Sequence, residues 1–107
     1  MSYQEQAAQR KQQLFQMYPP GMSRADIEAK WGGKADLSIS RPPDGWGAYS
    51  NKSLGKELSD LETKSGKKIE VVDRYWGPDS LSSLAYCWYY FDSDSKLVDV
   101  EWQYMSD

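Results

Sequence analysis

Leu84-Ala85-Tyr86-Cys87-Trp88-Tyr89-Tyr90-Phe91, then Asp92-Ser93-Asp94-Ser95, then Lys96-Leu97-Val98-Asp99-Val100-Glu101-Trp102-Gln103-Tyr104: this stretch decides the fold. Val98, Val100, Trp102 and Tyr104 alternate with Asp99, Glu101 and Gln103, the two-residue period of a strand with one face in a core. Leu84 to Phe91 is apolar on both faces, which suits the middle strand of a sheet, and the Asp-Ser-Asp-Ser run between them is hairpin chemistry. Upstream, Ile69, Val71 and Tyr75 alternate with Lys68, Glu70, Val72, Arg74 and Trp76, and Gly77-Pro78-Asp79 opens a turn. Residues 67–105 therefore read as a three-stranded antiparallel meander.

The residues before the meander are helical. Ala7, Ala8, Leu14, Phe15 and Tyr18 fall on one stripe of a helix over 4–18, which Pro19-Pro20-Gly21 stops. Ser23 is a good N-cap with Asp26 three residues on, and Met22 and Ile27 occupy the two positions of a hydrophobic staple. That predicts a helix over 24–31, ended by Gly32-Gly33. Leu37-Ser38-Ile39 alternates like a brief strand, Arg41-Pro42-Pro43-Asp44-Gly45 is a turn, and Trp46 and Tyr49 are expected to pin this loop to the core. Leu54, Leu58 and Leu61 mark a third short helix over 53–64, with Ser53 as its cap and Gly66 as its stop; Gly55 weakens it. The fold class is α+β: two N-terminal helices and a short third, packed on one face of the three-stranded sheet. One domain is expected over 1–107, divided into 1–20, 21–33, 53–66 and 67–105.

Composition removes several chemistries. The 107 residues contain no His and one Cys, so no His base, no Ser-His-Asp triad, no intrachain disulfide and no thiolate zinc site is available. A net charge of −3 with pI near 4.9 argues against nucleic acid as a partner, and no apolar run is long enough to span a membrane. The charge is uneven: residues 1–68 hold 11 basic and 8 acidic side chains, residues 69–107 hold 2 and 8. Asp92-Ser93-Asp94 begins like a calcium loop but lacks its glycine and has Gln103 at the twelfth position, and Gly32-Gly33-Lys34 lacks phosphate-loop spacing. No cofactor or metal is expected. Cys87, among apolar residues, reads as a buried inert thiol.

The meander also predicts which residues share a face. With Asp92–Ser95 as a four-residue loop, Phe91 lies opposite Lys96, Tyr89 opposite Val98, Cys87 opposite Val100 and Ala85 opposite Trp102. That set lies under the helices. The other face carries Leu84, Tyr86, Trp88 and Tyr90, with Trp76 and Arg74 from the preceding strand and Asp99, Glu101 and Gln103 from the following one. A slip of one residue exchanges the faces. The candidate partner-binding residues are Trp76, Tyr86, Trp88, Tyr90, Asp99 and Glu101: rings for contact area, carboxylates to orient a partner's Lys or Arg. The same rings are equally consistent with packing under the 53–64 helix or the 41–50 loop.

Gly21-Met22-Ser23 ahead of an Asp-Ile-Glu helix ending in Trp31-Gly32, followed by Trp88-Tyr89-Tyr90-Phe91-Asp92-Ser93-Asp94-Ser95-Lys96-Leu97-Val98, resembles the SmpA/OmlA (BamE-like) family and the β-lactamase inhibitor protein (BLIP)-like domains. Against that pattern, Ser95 stands where Gly is common, 53–66 is an insertion, and no lipid-accepting Cys lies near the start. The resemblance implies helices on one face of an antiparallel sheet and a domain that binds another protein without being an enzyme. Three functions follow as expectations: a protein-binding module or inhibitor; an envelope assembly or scaffold domain of a lipoprotein; and, weakest, a small enzyme using Asp99 and Glu101 as an acid–base pair. A start at Met1 places the first in the cytoplasm, whereas removal of an export signal places the chain in the periplasm.

Overall fold

The computed structural model describes residues 1–78 and 84–104. Helix α1 (Tyr3–Met17) starts at a complete capping box, in which the Ser2 hydroxyl accepts from the Glu5 amide and the Glu5 carboxylate accepts from the Ser2 amide. Helix α2 (Arg24–Trp31) starts where its punctuation predicts. The Ser23 hydroxyl accepts from the Asp26 amide at 3.1 Å, and Gly32 closes the helix at φ +82°. Helix α3 (Lys52–Ser65) is capped by Asn51, whose carbonyl accepts from the Leu54 amide at 3.1 Å, so Ser53 is not the cap but the second helical residue.

The sheet contains four strands, not the three of the meander. Strand β1 (Leu37–Ser40) pairs with β2 (Val71–Pro78), β2 with β3 (Leu84–Phe91), and β3 with β4 (Leu97–Tyr104), all antiparallel and in the order β1-β2-β3-β4. The brief Leu37-Ser38-Ile39 alternation is thus an edge strand, and β2 becomes interior. β2 also runs on through Gly77 and Pro78 where a turn is predicted; Asp79 and Met105 lie outside the described residues.

Strand pairing departs from the predicted register by two residues. Tyr89 faces Val100 and Cys87 faces Trp102, because Phe91 pairs with Leu97 and one extra residue, Val98, bulges out before the Tyr90–Asp99 pair. A two-residue displacement preserves parity, so the faces beyond the bulge stand as predicted. At the bulge they do not: Leu97 in place of Lys96 joins the helix-side core, and Val98, predicted on that side, packs against the α3-side core. The turn closes through Asp92, whose side chain accepts from the Asp94 and Lys96 amides, and Ser95 takes the left-handed region at φ +57°.

Each face of the sheet has its own core. On one, α1 and α2 place Leu14, Tyr18 and Ile27 over Ala85, Cys87, Tyr89, Phe91, Val100 and Trp102, all buried. Trp31 stacks on Tyr75 at 4.7 Å and donates its indole N–H to the Tyr89 hydroxyl at 2.9 Å, while Tyr18 and Tyr75 meet Tyr89 edge-on. Burial pushes the Tyr75 phenol up to about 12, with the nearby Asp73 adding to it. On the other face, α3 lays Leu54 and Leu58 with Trp46 against Ile69, Val72 and Tyr90. The third helix therefore does not join the first two, and the architecture is three-layered. The reason lies in β3: both of its faces are rich in rings, so leaving either one wholly to water forfeits a large burial term.

Gly55 is where α3 touches the Trp46 turn. A Cβ built there stands 2.4 Å from the Trp46 carbonyl oxygen. Helix propensity alone favours Ala over Gly by about 1 kcal/mol. The clash is against backbone, so Gly55→Ala is expected to destabilise by about 2 kcal/mol in denaturant titration; a gain in stability would contradict this packing.

Candidate binding site on the open sheet face

The register sorts the α3-side face into three cross-strand rows. Val72, Tyr90 and Asp99 form the first, Arg74, Trp88 and Glu101 the second, and Trp76, Tyr86 and Gln103 the third. Helix α3 covers the first row. Tyr90 is 2% exposed and donates its hydroxyl to Glu57 of α3 at 3.1 Å, so it is a core residue and leaves the predicted binding surface. Burial and the facing Glu57 carboxylate push its phenol far up.

The second row is the boundary. Trp88 is half-buried, one edge against the α3 core and its indole N–H donated to Gln103 at 3.1 Å. Arg74 lies over Tyr86 at 4.3 Å and Trp88 at 5.6 Å, a cation stacked between two rings. Its Nε is enclosed and has no acceptor among the described residues. The third row is open. Trp76 is 39% exposed and tilts against Tyr86 at 5.3 Å, and the Asp36 side chain fixes its backbone amide. The Leu84 side chain lies outside what the structure describes.

The two predicted carboxylates are engaged from within the chain. Lys11 of α1 reaches Asp99 at 3.2 Å and Glu101 at 2.9 Å. Burial works against the ammonium charge, but the two carboxylates outweigh it and hold the Lys11 pKa above its usual value. Lys11 therefore competes with any basic partner for both groups, and the role predicted for Asp99 and Glu101 is in large part already filled.

Sequence reading missed three participants. Arg74 was placed on this face but not given a role. Glu57 sits one helical turn from both Leu54 and Leu61, at the border of the buried stripe, and that spacing was its signal. Its carboxyl is raised above the usual range, first by crowding from α3 and the sheet and next by repulsion from Glu101. The third is a groove of about 290 Å³ between the first turns of α3 and the sheet, whose walls include Tyr3, Leu54, Glu57, Trp88, Glu101 and Trp102. Trp46, expected to pin the 41–50 loop to the core, is buried at 1% exposure and presents no surface. Cys87 is fully buried.

The sign of the Glu57 effect on stability follows from linkage. Folding favours its protonated form, so it contributes stability at acid pH that is lost as pH rises from the ordinary carboxyl range through its raised value. Glu57→Gln is expected to remove that decline: the stability difference between variant and wild type should move in the variant's favour from pH 4.5 to pH 7. Urea titrations at the two pH values check it; a constant difference would refute it.

Among the described residues no three metal-ligating side chains come together, and no helix is long and apolar enough to cross a membrane. No family model matches the chain, and no curated protein or solved structure matches it either.

Proposed function

We propose that this chain is a non-enzymatic protein-binding module, in the manner of an inhibitor, and that its contact surface is the uncovered strip of the sheet: Trp76 and Tyr86 with Arg74 and Trp88 beside them. The observation that carries this reading is the Trp76 ring, 39% exposed and braced against Tyr86, next to an arginine already stacked on two rings. Trp, Tyr and Arg are the residues that anchor interfaces, because they offer large contact area from few rotatable bonds. Bracing reduces the ordering cost of association further. The short motifs shared with the SmpA/OmlA and BLIP-like domains point the same way, since those domains bind proteins. The grip of Lys11 on Asp99 and Glu101 weighs against using that pair for acid–base chemistry.

The partner isolated with the wild-type domain as bait tests this reading through a variant. Trp76→Ala is expected to weaken its binding by about 2 kcal/mol, roughly thirtyfold, while leaving the unfolding midpoint nearly unchanged. Binding unaltered by Trp76→Ala would remove the strip from the interface.

A further inference from the structure

The groove beside the strip has an unusual wall. Tyr3, Trp88, Tyr90 and Trp102 supply rings, Glu57 and Glu101 supply carboxylates, and none of the residues lining it is Lys or Arg. Glu101 is paired with Lys11, which reaches it from α1. Glu57 forms no such pair: its hydrogen bond comes from the neutral Tyr90 hydroxyl, and Lys11, held by Asp99 and Glu101, acts on it only from beyond ion-pairing distance. Residues 79–83 and 105–107 contain no Lys or Arg, so they hold no basic side chain that could complete the pair. A carboxylate whose one hydrogen bond comes from a neutral hydroxyl, in a groove that also presents aromatic rings, favours a cation through direct pairing and through attraction to the ring quadrupoles.

Resting on the protein-binding reading above, we infer that this groove receives a Lys or Arg side chain of the partner, seated against Trp88 with its charge on Glu57. The position suits that use. Trp88 belongs both to the groove and to the row bordering the open strip, so a partner lying across Trp76 and Tyr86 has the groove at its side. Charge complementarity selects the occupant: two carboxylates line the groove against the single ammonium of Lys11, which engages Glu101 and leaves Glu57 unpaired, and Asn51, Ser53 and Gln103 are neutral.

The test uses small probes and the intact chain: Nα-acetyl-arginine amide and Nα-acetyl-lysine amide, with uncharged Nα-acetyl-norleucine amide as control, followed by the NMR signal of the Trp88 indole N–H. The charged probes are expected to bind with dissociation constants on the order of 1 mM, a reach set by their few atoms, and the neutral one at least about tenfold more weakly. Glu57→Gln, which keeps an acceptor for the Tyr90 hydroxyl, is expected to abolish that preference. Ser53→Lys, which places an ammonium one helical turn before Glu57, is expected to block the charged probes as well, and it serves as the second variant should Glu57→Gln fold poorly. Equal binding of charged and neutral probes, or charged-probe binding unaltered in both variants, overturns the inference. If the probes fail while Trp76→Ala still weakens the partner, the groove assignment falls and the strip stands. If the probes bind while Trp76→Ala leaves the partner unaffected, the strip falls instead.

Discussion

Trp46→Ala is expected to destabilise the protein by about 4 kcal/mol, the usual loss when a large buried ring is cut to a methyl group. Trp46 is 1% exposed and central to the α3-side core, where Leu54, Leu58, Ile69, Val72 and Tyr90 surround it. Its indole N–H donates to the Ile69 carbonyl at 2.8 Å, so truncation leaves a buried acceptor unsatisfied as well as a cavity. The Trp46 ring also meets Tyr49 edge-on at 5.5 Å, which ties the 41–50 loop to the same core. Because α3 reaches the sheet largely through this cluster, the variant should also expose Tyr90. Denaturant titration with tyrosine accessibility as a second readout checks both. A loss under about 1 kcal/mol would mean that the α3 layer is not part of the cooperative fold.

Arg24→Met should cost about 3 kcal/mol. Asp73 is 1% exposed in the interior strand β2, and its two oxygens accept from Arg24 Nε at 2.7 Å and Arg24 Nη2 at 2.9 Å. The Ser38 hydroxyl completes the set, so the cluster joins α2, β1 and β2 at one point. Removing the guanidinium leaves a buried carboxylate without its cation, which is the costly half of breaking such a pair. Replacing both partners, Arg24→Met with Asp73→Leu, should recover much of the loss, because no charge then remains to be solvated. A double variant as unstable as the single one would show that the pair acts through shape and not through charge.

Much of the architecture was legible because local signals were strong and agreed with one another. The period of two at Val100 and Trp102, the Ser23 cap and the Gly32 and Gly66 stops each have a direct physical cause, and each is present; Val98 departs from the period at the bulge. Beyond the bulge the strands' parity kept the predicted faces, although the pairing is shifted and Val98 itself changes side. What was not legible is tertiary choice. The Leu54-Leu58-Leu61 stripe states that α3 buries one side, but not which face of the sheet receives it. That choice moved Tyr90 from the predicted surface into a core while leaving Trp76 outside. β1 has four residues, with Ile39 alone among them partly buried, too little for periodicity to add it to the sheet. Asp73 carried a readable signal: it shares parity with Val71 and Tyr75 on the helix-covered face, so its charge had to be buried and needed a partner. The partner, Arg24, lies 49 positions away in sequence, where no local rule reaches.

The central claim is that the Trp76–Tyr86 strip, and not the buried rings beside it, meets the partner. Hydroxyl-radical footprinting of the free and partner-bound protein tests this most directly. Trp76 and Tyr86 should be oxidised in the free protein and protected in the complex, with Tyr89, Tyr90 and Trp46 resistant in both states. Trp76 oxidised equally in the two states would contradict the account.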